Sequence, residues 1–71
     1  MSTLNDARER IHSGWQALQG QWYTTCELWD DPVRRRFERE FWQEFERIVP
    51  ATIEQMGRLA EVIAQAQREI R

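Results

Sequence analysis

The chain has 71 residues, 31% of them charged, with twelve acidic against ten basic side chains and a formal net charge of −2. That near-balance argues against nucleic acid or an anionic membrane as the main partner, and a single cysteine, Cys26, excludes an internal disulfide. A chain this short is one domain, and its own core supplies only a few kcal/mol.

No Cys/His spacing fits a structural zinc site. The polar opening leads into no apolar run long enough for a signal peptide or a membrane span. The expectation is a cytoplasmic protein without cofactor, small-molecule substrate or membrane span. All ten basic residues are Arg, a bias of composition more than of chemistry. Three Gly and two Pro, with no repeat and no strand-like alternation, give an all-α fold class.

The first helix is expected to start at Ser2 or Thr3, where Thr3 and Asp6 have capping-box spacing, and to cover residues 3–29. Trp15, Trp22 and Trp29 recur every seven residues, and Leu4, Ile11 and Leu18 keep the same interval. With the tryptophans at heptad position a, Arg8 joins them, and Thr25 extends the Leu4 row at d. Tryptophan contributes most when its large surface is enclosed, so this stripe predicts a packed helix seam. Gly14 adjoins the seam, where a missing side chain lets a partner come close; Gly20 lies on the outer side.

Asp30-Asp31-Pro32 is the clearest punctuation in the chain: a carboxylate N-cap before a proline at the first helical position. So short a connection predicts an antiparallel helical hairpin. The two carboxylates also offset Arg34, Arg35 and Arg36 at the positive end of the second helix.

The second helix, residues 32–70, carries Trp42, Val49, Met56, Ile63 and Ile70 at seven-residue spacing, with Phe45, Thr52, Leu59 and Ala66 three residues after the first four. Phe37, Phe41, Ile48 and Val62 widen the apolar arc beyond one seam, and so broad an arc calls for two partners. If residue i lies opposite residue 61 minus i, about the last dozen residues, roughly 18 Å of helix, stay unmatched. Exposing such a stripe is an aggregation hazard. A second hairpin, the same chain or a similar one, would cover it in a four-helix-bundle dimer. The expected core stripe is Leu4, Ile11, Trp15, Leu18, Trp22, Trp29, Phe37, Phe41 and Phe45. The expected partner-facing set is Trp42, Val49, Met56, Leu59, Val62, Ile63, Ala66 and Ile70.

Pro50 must kink the second helix or end it, because an internal proline removes a hydrogen bond and clashes with the preceding turn. A break would allow a third helix from the capping-box pattern at Thr52–Gln55, giving a monomeric three-helix bundle. The kinked, continuous helix is preferred. Residues 47–51 hold no Gly, Asn, Asp or Ser to make a reversal, and the heptad register passes through Pro50 without a phase shift.

With the hairpin in view, the turn Trp29-Asp30-Asp31 resembles that of the WXG family, Trp-x-Gly helical hairpins associated with type VII secretion. Phe37 followed by Leu59-Ala60, Ile63, Ala66 and Ile70 is similar to that family's second-helix pattern, so the likeness covers most of the chain. Asp31 stands where the family has Gly, and residues 67–71 lack the Tyr of the family's export motif. Tyr23-Thr24-Thr25-Cys26-Glu27 has that motif's letters but falls inside the first helix. The resemblance implies a dimerising hairpin, and a type VII secretion-related protein exported without a signal peptide.

No pattern here carries catalysis. Asp30 and Asp31 are adjacent turn carboxylates, explained by capping. Glu40 and Glu44 share a helix face but lack the Glu-x-x-His partners of a di-metal bundle site. His12 has no second ligand at metal spacing, and Cys26 next to the core stripe reads as a small buried hydrophobe. There is no nucleophile with a base and no phosphate loop, so no enzyme is expected. An aromatic platform for bases is outweighed by core packing of the tryptophans. Arg34, Arg35, Arg36 and Arg39 leave one alternative, a small nucleic-acid-associated regulator using the Arg34–Arg39 patch, although Glu38 and Glu40 interleave with them as ion-pair partners.

Overall fold

A computed structural model describes residues 3–70, which are helical throughout except for the turn. Helix α1 is Thr3–Leu28. Helix α2, residues 32–70, is made of three contiguous stretches: an α-helical Pro32–Phe37, a π-helical turn Glu38–Trp42 and an α-helical Gln43–Ile70. The proposed start at Ser2 lies outside the described residues. The two helices form the expected antiparallel hairpin, 59 × 19 × 10 Å, with a radius of gyration of 16.9 Å. A compact chain of this length would have about 11 Å. The hairpin is two helices wide and one helix thick.

The turn is made as its residues dictate. Asp31 has extended backbone and accepts the Arg34 N–H on its side chain, and Pro32 follows in the first helical turn. Helix α1 ends at Leu28, one residue before the expected limit, and the Trp29 N–H still reaches the Thr25 carbonyl at 2.8 Å.

Pro50 neither ends nor interrupts the hydrogen-bonded helix Gln43–Ile70, so the three-helix alternative is not what the chain adopts. Thr52, its possible N-cap, donates its hydroxyl to the Ile48 carbonyl 2.8 Å away within the same helix. With no turn-forming residue around Pro50, ending the helix would surrender packing on both sides of the proline. Keeping it forfeits one hydrogen bond.

The core is a stack of three indoles. Trp42 lies between Trp15 and Trp22, with ring centroids 5.2 and 4.9 Å away and planes within 23° and 20° of parallel. Stacked aromatic pairs add about 0.5–1.5 kcal/mol each beyond their burial. Cys26 and Val49 pack against the cluster, and Ala60 is buried further along α2.

The sequence assigned Trp42 to a partner-facing seam; it is instead the most enclosed of the buried side chains, 3% exposed. Trp29, assigned to the core, is 39% exposed. Both corrections have one cause. Single pairs seven apart, Trp15 with Trp22 and Trp42 with Val49, face inward together, but the rows that stay inward along each helix recur at eleven: Leu4, Trp15 and Cys26 on α1, and Trp42, Ile53 and Ala64 on α2. Eleven residues make three turns of a nearly straight helix, whereas a heptad row drifts by about 20° per repeat. By Trp29 the tryptophan row has rotated off the seam, and Cys26 faces inward in its place.

The π turn adjusts the phase of α2. The Gln43 N–H bonds to the Glu38 carbonyl, five residues back, which inserts one residue into the helix. Strict α-helical spacing would swing Phe37 away from the seam when Trp42 faces it. The inserted residue lets Phe37 reach Trp22, at 5.5 Å between centroids, while Trp42 stays in the stack. Further along, Leu4 shares a cleft with Ala60, Ile63 and Ala64, and Thr3 with Gln67, so the unmatched tail of α2 is shorter than the dozen residues expected.

Candidate interaction surface

Two helices side by side leave two broad faces, and in this hairpin they differ in kind. At about 100° per residue, Ile11, Gly14, Leu18, Gln21, Thr25 and Trp29 line one edge of α1. The matching edge of α2 carries Phe41, Phe45, Ile48, Thr52, Met56, Leu59, Ile63, Ala66 and Ile70. None of these is charged, in a chain that is 31% charged. The face is also largely open to solvent: Leu18 is 50% exposed, Phe41 50%, Phe45 46%, Ile48 42%, Leu59 51% and Ile63 40%. Near the turn it deepens into a groove of about 430 Å³ bounded by Leu18, Trp29, Phe37 and Phe45, with Trp22 and Trp42 as its floor.

The opposite face is polar. There Arg8 lies across α2, its Nε donating to the Ile53 carbonyl at 3.3 Å. Gly57 is the reason it fits, because a Cβ on that residue would stand 3.1 Å from the Arg8 Nε. Sequence reasoning placed Arg8 in the heptad row and did not account for Gly57. The available signal was a glycine on α2 at the level of an arginine on α1.

At the turn, the basic patch is internally matched. Asp30 accepts from Arg34 at 3.1 Å and from Arg35 at 2.6 Å, and Arg36 pairs with Glu40 at 3.1 Å. Arg34 is mostly enclosed and also reaches Glu38 and the Cys26 sulfur, at 3.4 and 3.3 Å. Its hydrogen bond to Asp30 raises the guanidinium's pKa and, with the nearby Arg35 charge, lowers that of Asp30. Asp31 is lowered as well, first by the Arg34 backbone N–H and then by the Trp29 indole.

Of the residues expected to form the core stripe, Trp15 and Trp22 are buried and Leu4 is half-buried, whereas Ile11, Leu18, Trp29, Phe37, Phe41 and Phe45 lie at the surface of the hairpin. Of the partner-facing set, Trp42 is buried, Val49 and Met56 are half-buried, and Leu59, Val62, Ile63, Ala66 and Ile70 are exposed. Leu59, Ile63 and Ile70 are therefore not covered by the chain's own Trp15 and Leu18.

Among the described residues, no group of three or more His, Cys, Asp or Glu side chains comes together to hold a metal. Among them, too, no helix is long and apolar enough to cross a membrane. No family model, curated protein or solved structure matches this chain.

Proposed function

We propose that this chain is a non-enzymatic protein-interaction module, a WXG-like helical hairpin that docks its uncharged face onto another helical hairpin of the same or similar sequence. One observation carries the reading. A monomeric protein of 8.6 kDa would expose about 4,700 Å², and this chain exposes 5860 Å². The surplus, about 1,200 Å², exceeds the roughly 800 Å² that each partner contributes to a standard interface. On the charge-free face Leu18, Phe41, Phe45, Ile48, Leu59 and Ile63 are each at least 40% exposed, a contiguous apolar surface of the kind that marks an association site.

Replacing Leu59 and Ile63 together by Asp tests this. Both side chains lie outside the indole stack, so the variant keeps its helical circular dichroism and its tryptophan emission while its sedimentation drops to that of a lone hairpin. A variant that sediments and melts as the parent does would refute the docking role.

The finer part, a role related to type VII secretion, rests on the WXG resemblance at Trp29-Asp30-Asp31 and along α2. Expression in a bacterium with that secretion system is its test: accumulation in the medium supports it, and retention in the cell of a stable, folded protein removes it. The nucleic-acid alternative draws less support, since Arg34, Arg35 and Arg36 are engaged by Asp30 and Glu40. Salt-dependent binding of random duplex DNA would revive it.

A further inference from the structure

We draw no further inference here: the strongest candidate, the apolar groove of about 430 Å³ that Leu18, Trp29, Phe37 and Phe45 border on the uncharged face, carries nothing beyond the docking role because nothing in the structure shows what covers it.

Discussion

Trp29 and Asp31 hold the turn between them. The indole Nε1 donates to Asp31 Oδ2 at 2.7 Å, while Oδ1 of the same carboxylate takes the Arg34 backbone N–H at 2.9 Å. One side chain thus caps α2 and anchors the aromatic ring that closes the apolar groove. Asp31→Ala removes both bonds, and the melting temperature should fall by roughly 5 °C, the scale of a lost N-cap in a domain this small. Trp29→Phe keeps the cap and loses only the indole bond, so its shift should be clearly smaller. Thermal melts followed by circular dichroism check both, and equal shifts would mean that capping is not the main term.

Acid should loosen the same turn. The Arg34 and Arg35 side chains hold Asp30, and the Arg34 backbone N–H with the Trp29 indole holds Asp31, below the ordinary carboxylate value of 3.8. A carboxylate whose folded pKa is depressed contributes stability that is complete above its unfolded pKa and lost as pH falls through the folded one. Urea midpoints should therefore change little on account of these two groups above about pH 5 and decline below about pH 4. Asp30→Asn with Asp31→Asn should be less stable at neutral pH and show a shallower acid limb. The same acid slope in parent and variant would place the titrating groups elsewhere.

The hairpin was legible because Asp30-Asp31-Pro32 combines a cap with a helix-starting proline, a local signal that tertiary packing does not override. The seam was only partly legible. Trp15, Trp22 and Trp29 advertise a heptad, but two helices of this length packed nearly straight follow the eleven-residue drift, so Trp29 leaves the core and Cys26 faces it. The π turn at Glu38–Trp42 has no local signature. It follows from the need to bring both Phe37 and Trp42 onto Trp22, a requirement that exists only once the helices have met. The uncharged face was visible as the broad apolar arc of α2, but the split between its inward and outward rows needed the phase that the π turn sets.

Trp42 should be the most sensitive position in the chain. It touches both other buried indoles, so Trp42→Ala removes two stacked pairs and opens a cavity, at a cost of about 3–5 kcal/mol. A domain of this size has about 4–10 kcal/mol in total. The variant should be largely unfolded near 37 °C, whereas Trp42→Phe, which keeps an aromatic ring in the stack, should remain folded with a lower urea midpoint. If Trp42→Ala melts within a few degrees of the parent, the indole stack is not the core.

Gly20 and Gly57 separate helix propensity from packing. A Cβ at Gly20 meets nothing within 4 Å and Gly20 points away from both helices' contacts, so Gly20→Ala should stabilise by about 1 kcal/mol. A Cβ at Gly57 would crowd the Arg8 Nε at 3.1 Å, and here two effects oppose. The obstruction is the end of a flexible side chain whose hydrogen bond to Ile53, at 3.3 Å, is long and only part-buried. Arg8 can swing away at the loss of a bond worth about 0.5–1 kcal/mol, against a propensity gain of about 1 kcal/mol. Gly57→Ala should therefore be close to neutral, and Gly57→Ala with Arg8→Ala more stable than Arg8→Ala alone. Urea unfolding of the four proteins in that cycle measures the coupling directly. No coupling between the two positions would show that Arg8 does not rest on Gly57 in solution.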